Sequence, residues 1–585
     1  MRTISLVVIS ALSLYVLGMI VFTVLDRQSP NSQLSDSSNL HLEVINDEIK
    51  EEESDQTIDY EYNFIDSKLA NLILTDLDVF EPIDESYFSQ RNPNHSLYDI
   101  PFLGLKVNEN YCKEHREFFA NHAQTLFSDI FIIVQGSEQT FVREKVVPFV
   151  ATDLQPEVAV HHVNQSRYDI QPQINAFFTW TSFFPFQHVG KHFSCLTQMS
   201  NHIPGNSYLS KKNTVAESLA GYLKKFEDRP SCPVNHKYFL KNWILSKQED
   251  CKDFFRILNS QQYQETKKVK PIQFMRKVSG QHRGAGVMPV TPEEEEILRT
   301  NYSNGDLCGE ITKNVIIQDY VQNPLLINGR KFDFRFYVLI ASTNPMIAYY
   351  HDGLLRVSLE SYDEEGGDKR SLLTNLALSK DQYEKAENKT EMLEDQMWDF
   401  PRFQEYLLKA GVVSDPNWLD NYLRPEFKKA CIHLLRSVQD KFRKDSSLYE
   451  VYGVDFIIDT DMNIWFLEAN AGPSWDGDYT QSVEKIISGM LKEHFEIEYG
   501  LLSSRMKRII AYVNNMILTG EVQKLGNEEI LIPDLEEKRK EFKQITTNYF
   551  EKQFEPEEDF NFLLLIDDNL TGVDRYQGLI SEECL

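Results

Sequence analysis

The segment Val451–Asn470, VYGVDFIIDTDMNIWFLEAN, limits the possible folds more than any other part of the chain. Two apolar runs flank the polar Thr460–Asn463, a pattern that reads as a β-hairpin. With a four-residue loop, Asp459 pairs with Ile464, and the same register sets Asp455 opposite Glu468. Glu468 and Asn470 are two positions apart and share that face. Two carboxylates and an amide oxygen then converge among Phe456, Ile457, Phe466 and Leu467. Like charges placed together in apolar surroundings are costly unless something neutralises them. A divalent cation does so. Hard oxygen donors favour Mg²⁺, which keeps waters and takes substrate phosphates for the rest of its shell. The alternative is an exposed acidic hairpin.

Three further segments carry polar residues in strand-like surroundings. In KNVIIQDYVQNPLLINGRKFDFRFYVLIA (Lys313–Ala341), Val315–Val321 reads as a buried strand and Asn328-Gly329 as a hairpin turn. Lys331, Asp333 and Arg335 then alternate with Phe332, Phe334 and Phe336, so the charges share one face and the aromatics fill the core. The apolar residues that follow mark a central strand, which sends the charges into a cleft. PIQFMRKVSGQHRGAGV (Pro271–Val287) is a strand ending at Lys277 and opening into a loop with Gly280, Gly284 and Gly286. Such a loop lets backbone N–H groups approach phosphates, although an ordinary hairpin loop has the same composition. HDGLLRVSLESY holds Arg356, and LLTNLALSK holds Thr374 and Asn375. Spacing alone leaves these last three either structural or ligand-facing.

The formal charge of −29 is concentrated in two acid-rich stretches, residues 40–89 and 531–585. The part between them is only mildly acidic and has no basic face for phosphate backbones, which excludes a nucleic-acid partner. With 585 residues, 42% of them hydrophobic, the chain can bury several cores. Its seven cysteines are scattered and form no CxxC pair, so buried or free thiols are expected rather than a zinc site or disulfides. Ile4–Leu25 is uncharged and apolar, which leads to the expectation of an uncleaved single-pass membrane anchor over residues 4–25, its orientation open. Sequons at Asn94, Asn164, Asn301, Asn388 and Asn569 leave that orientation undecided. The expected order continues with an acidic flexible linker (28–60) and an α/β region (61–190) with strands at Asp129–Gln135 and Val146–Thr152. Helices are expected at Asn213–Phe226 and Ser503–Thr519, the second opening a tail (496–585) that turns acidic.

Between about Ser200 and Gly489 the chain resembles the tubulin–tyrosine ligase-like family, amino-acid ligases of the ATP-grasp superfamily. NHIPGNSYLSKKN resembles its N-H-F-P-G…R-K-D element, and FLKNWILS its P-K-T-W-x-L-P segment. Lys277 with RGAGV, QDYVQNPLLINGRKFDFRFYVLI, LLTNLALSK and YGVDFIID…IWFLEANAGPS follow in the family's order. The resemblance implies an α/β (α+β) ATP-grasp fold, with a central subdomain at 191–268 and a catalytic subdomain at 269–495. It implies ATP held by Lys212, Lys277, Arg283, Gly284 and Gly286, and adenine at a hinge formed by Gln318, Asp319, Tyr320 and Val321. Lys331 and Asp333 would flank the nucleotide, and Thr374 and Asn375 would lie near its phosphates. Asp455, Glu468 and Asn470 would hold Mg²⁺, and Arg335 and Arg356 would face the reacting carboxylates. Glu468 would also help deprotonate the incoming amine. The implied activity joins a free amino acid to a protein carboxylate, tubulin by family default, through an acyl-phosphate. Asp319 departs from the family, whose hinge has lysine there; an acid beside the adenine implies weaker or altered nucleotide binding. The alternative is a degenerate, non-catalytic module held at a membrane to bind a partner.

Overall fold

A computed structural model describes residues 62–79, 109–126, 132–135, 160–163, 177–181 and, with short internal gaps, 195–584. These all lie within one compact unit spanning Tyr60–Leu585. The structure is mixed α/β, as the sequence leads one to expect.

The described residues open with helix α1 (Ser67–Leu77), where the Asp66 carboxylate accepts from the Leu69 N–H and caps the first turn. Helix α2 (Glu109–Leu126) follows. Next come the parallel strands β1 (Ile132–Gln135), β2 (Val160–Val163), β3 (Phe178–Thr181) and β4 (Met199–Asn201). The expected strand at Val146–Thr152 lies outside the described residues. Helix α3 (Lys212–Leu223), extended by a 3₁₀ turn to Phe226, matches the expected helix closely. Strand β5 (Tyr238–Phe239) leads into a small antiparallel sheet of β6 (Asn242–Ile244), β7 (Phe274–Val278), β8 (Val287–Pro289) and β9 (Val315–Asp319), in the order β6-β9-β7-β8. Helices α4 (Gln248–Leu258) and α5 (Pro292–Asn301) pack on this sheet around Phe254, Phe274 and Leu298. Because β6 is hydrogen-bonded to β9, this sheet spans the 268/269 boundary drawn from sequence.

The long strands β10 (Arg330–Thr343), β11 (Met346–Val357), β12 (Leu448–Ile458) and β13 (Ile464–Ala471) form the antiparallel half of the main sheet. The short contact of β12 with β4 joins that half to the parallel strands. Phe332, Phe334 and Phe336 are fully buried and meet Phe400, Phe403 and Phe427 edge-on or tilted, so the aromatic face of β10 forms the core. Gly353 is required where β11 crosses β10, because a Cβ there would sit 2.1 Å from the Arg335 carbonyl oxygen.

Three expectations are corrected. The C-terminal helix α6 (Gln481–Leu518) starts well before Ser503, capped by Thr480, and crosses the 495/496 boundary. Strand β14 (Leu563–Asp567) then pairs with β11, so the tail's end is part of the fold and not an appendage. An acid-rich composition hid this, because its few buried apolar residues, Phe562, Leu565, Ile566, Tyr576 and Ile580, are scattered among exposed polar ones. Six of the seven cysteines are paired, Cys112–Cys195, Cys232–Cys584 and Cys251–Cys308, and Cys431 alone is a buried thiol. The pairs are 57 to 352 residues apart in sequence, beyond the reach of spacing arguments. The expected single-pass membrane anchor is not supported either: no helix among the described residues is long and apolar enough to cross a membrane, and residues 4–25 lie outside them.

Candidate functional site

The β12–β13 hairpin brings the acids together by a different route from the one expected. Its tip pairs Ile458 with Ile464, one residue out of the expected register, which leaves a five-residue turn held by the Asp459 carboxylate. A bulge between Asp455 and Phe456 then restores the step, so Asp455 does lie opposite Glu468 and Gly453 opposite Asn470. Among the described residues no group of three His, Cys, Asp or Glu side chains is gathered for a metal. The candidate set is two carboxylates and one amide, with Asn470 Nδ2 3.4 Å from Glu468 Oε1.

Cations surround these acids. Lys212, at the start of α3, lies 3.2 Å from Glu468. Lys277, at the end of β7, donates to the Leu467 carbonyl at 3.0 Å. Arg335 on β10 forks onto Asp455 through Nε and Nη2. Arg356 on β11 grips Asp333 through the same two nitrogens and reaches Asp455 Oδ2 at 2.9 Å. Cross-strand register makes this possible, since Arg335 pairs with Asp455 and Asp333 with Arg356. Gly453 opens the space Arg335 needs: a Cβ there would lie 3.1 Å from its Cδ and 3.2 Å from its Nε.

Burial and charge set the protonation of this cluster. Desolvation pushes Lys277 down to about 8, with Glu468 opposing. It pushes Lys331 down to about 7, Asp333 opposing. Burial raises Asp333 against the pull of Arg356. Asp455 is equally desolvated, but Arg335 and Arg356 outweigh burial and hold it below the usual carboxylate range. Glu468 is lowered as well: burial would raise it, and Lys212 overcomes that.

Lys212, Lys277, Lys331, Asp333, Arg356, Asp455, Glu468 and Asn470 line one cleft with an empty volume of about 900 Å³, and Arg335 stands behind Asp455. Its apolar walls include Ile457, expected beside the acids, and Leu240, Met275 and Leu372, which the sequence did not single out because isolated apolar residues carry no motif. Gln318, Asp319, Tyr320 and Val321 line it as well, with Thr374 and Asn375. The Thr374 hydroxyl donates to Asp333. Lys331 points its ammonium to the Tyr320 hydroxyl at 3.2 Å and lies over that ring. Gly286 closes the β7–β8 loop through its carbonyl to the Val278 N–H. Arg283 and Gly284 fall outside the described residues.

Asp319 takes a different place from the one expected. Gln318 shares a face with Met275, its register partner, and its amide donates to Asn242. Period two therefore turns the Asp319 side chain to the other face, that of Phe274 and Ile317. There burial pushes its carboxyl up to about 6, with Lys241 opposing.

The NHIPGN stretch acts as a strut. The buried Glu450 carboxylate bonds the His202 ring (3.0 Å), the Ile203 N–H (3.0 Å) and the Asn206 amide (2.9 Å). Gly205, with φ +101°, sits where a Cβ would collide with the Lys441 carbonyl oxygen at 2.2 Å. These contacts fix the turn that leads to Lys212.

The sequence profile of the Tubulin-tyrosine ligase family matches residues 191–509. A probable beta-tubulin polyglutamylase of Tetrahymena thermophila is 27% identical over 66% of this chain and 31% of its own length. The protein polyglycylase TTLL10 of Macaca fascicularis is 30% identical over 31% of this chain and 29% of its own. The tubulin monoglycylase TTLL3 of Homo sapiens is 30% identical over 34% and 25%. The chain thus spans between a quarter and a third of the length of these relatives. On the extent of the profile match and the order of its motifs, the chain belongs to the tubulin-tyrosine ligase family.

Proposed function

We propose that the cleft binds ATP and joins a free amino acid to a protein carboxylate through an acyl-phosphate. The observation that carries this reading is the charge of the cleft. Four cationic side chains, Lys212, Lys277, Lys331 and Arg356, line it with three carboxylates, Asp333, Asp455 and Glu468, and a fifth cation, Arg335, forks onto Asp455, all in a chain of net charge −29. A polyphosphate matches that local surplus, and a desolvated cleft makes the match stronger than it would be in water. The apolar walls beside the Gln318–Val321 backbone suit a purine ring.

Lys212 and Lys277 would take phosphate oxygens. Asp455, Glu468 and Asn470 offer the hard oxygens that suit Mg²⁺, which when bound would screen the phosphate charge. The acceptor carboxylate would attack the terminal phosphorus and release ADP. The amine of the amino acid would then attack the acyl carbon and release phosphate. Arg335 and Arg356, both fixed by Asp455, would orient the acceptor and the amino-acid carboxylate. Glu468, kept ionised by Lys212, would accept the amine's proton. The names of the relatives, a beta-tubulin polyglutamylase and a tubulin monoglycylase, support a protein carboxylate as the acceptor class and glutamate or glycine as the amino acid added.

The test is ADP formation by the full chain with ATP, Mg²⁺, a mixture of amino acids and carboxylate-bearing protein acceptors. Turnover that needs both acceptor and amino acid, and that Glu468→Gln abolishes, is expected. A chain that neither gains thermal stability from Mg-ATP nor turns it over would overturn the reading.

A further inference from the structure

Three cysteine pairs lie in separate parts of the fold. Cys112 on α2 meets Cys195 before β4, Cys251 on α4 meets Cys308 after α5, and Cys232 meets Cys584 at the far end of the chain. Their Cα–Cα distances are 5.3, 5.6 and 5.3 Å, each within the range a disulfide spans. A chain that keeps its thiols reduced has no reason to bring six of seven cysteines into bridging range. Cys431, on the helix Arg424–Arg436 within the large core, is the one left over, and burial pushes its thiol up, away from reactivity. A second, independent observation points the same way. Asn301 in N-Y-S ends α5 with its side chain exposed, and Asn388 in N-K-T is exposed just before the helix Lys389–Gln396, its amide donating at 3.3 Å to the Glu391 carboxylate on the surface. Asn569 in N-L-T is exposed too, but its amide donates to the Asn548 carbonyl.

We infer that this ligase matures in an oxidising, glycosylating compartment, carrying these three disulfides and N-linked glycans on Asn301 and Asn388. Each pair of thiols gives two protons and two electrons to a disulfide carrier of that compartment, which is itself reduced to a dithiol. Each asparagine amide nitrogen displaces a lipid-linked pyrophosphate from the anomeric carbon of an oligosaccharide and loses a proton. Resting on the ligase reading above, the inference also narrows the acceptor to carboxylates of proteins that share this compartment. A cytosolic polymer such as tubulin is then not the acceptor, and ATP and the amino acid must be supplied on the same side.

The test needs no ligase activity, so its failure and that of the ligase reading are separable. The full chain, with its own N-terminus, is expressed in a eukaryotic cell, and thiols are trapped with acid before lysis. The denatured protein is alkylated before and after reduction and mapped by peptide mass. Cys431 alone should be alkylated before reduction, and the peptides should be linked 112–195, 232–584 and 251–308. Alkylation of all seven without reductant overturns the inference. A glycan-removing amidase should convert Asn301 and Asn388 to aspartate, with the mobility shift lost in the Asn301→Gln/Asn388→Gln chain. If no shift occurs in the unsubstituted chain, the assignment of these two acceptors is overturned.

Discussion

Arg356 holds Asp333 by two hydrogen bonds, Nε to Oδ1 at 2.9 Å and Nη2 to Oδ2 at 2.5 Å, and the same Nη2 lies 2.9 Å from Asp455. One guanidinium thus compensates two buried carboxylates on neighbouring strands. Arg356→Met leaves Asp333 without its fork and Asp455 with Arg335 alone. The expected destabilisation is about 3–5 kcal/mol, read by urea unfolding, because an uncompensated buried charge remains. Asp333→Asn in the same background should recover part of that loss. No recovery would show that the pair does not share its charge.

Gly453 matters for what it omits. A methyl group there would lie 3.1 Å from Arg335 Cδ, so Gly453→Ala must displace the arginine that forks onto Asp455. An overpacked site of this kind costs about 1–3 kcal/mol. Turnover should fall more than stability does, with kcat reduced at least tenfold. Parallel melting and kinetic measurements would separate the two, and an unchanged kcat would mean that Arg335 plays no part in the reaction.

Lys331 and Lys277 titrate at about 7 and about 8 because burial penalises their charge. With folded values below the unfolded ones, the unfolded chain binds more protons, and this contribution to stability rises with pH from about 7 towards the ordinary lysine range near 10.4. Nucleotide phosphates favour the charged form, so Mg-ATP binding at pH 8 should take up protons from the buffer. Calorimetry in buffers of differing ionisation enthalpy measures that uptake. Lys277→Met should reduce it, and zero uptake by the unsubstituted chain would refute the placement of phosphates beside these lysines.

Glu498 is fully buried in the core formed around α6, and among the described residues neither carboxylate oxygen has a hydrogen-bond partner. Burial raises it well above the ordinary value, with Arg505 opposing. A raised folded value means stability that is present in acid and lost as pH rises above the unfolded carboxylate range. Glu498→Gln removes that dependence. The variant should be more stable than the parent by about 1–3 kcal/mol at pH 8, with a smaller gain at pH 5. Equal gains at both values would place the effect elsewhere.

Asp319 offers a contrast. Register places its carboxyl on the Phe274 face, opposite to that of Gln318. Asp319→Asn should leave Mg-ATP affinity within about threefold, or under about 0.7 kcal/mol. A tenfold change in a nucleotide titration would put the side chain back beside the base.

The sequence by itself determined what local backbone geometry dictates. Alternation along Lys331–Phe336 put charges on one face and phenylalanines in the core, because a strand repeats every two residues. It named both acids of the hairpin and paired Asp455 with Glu468. The pairing arises from a longer turn compensated by a bulge, and no short-range rule foresees two offsets that cancel. Tertiary structure alone decided which face of β9 carries Asp319, that residues 563–567 close an edge of the main sheet, and which cysteines meet. These are contacts across tens to hundreds of residues. Their partners are selected by the packing of whole layers, which the spacing between neighbours in the chain does not encode.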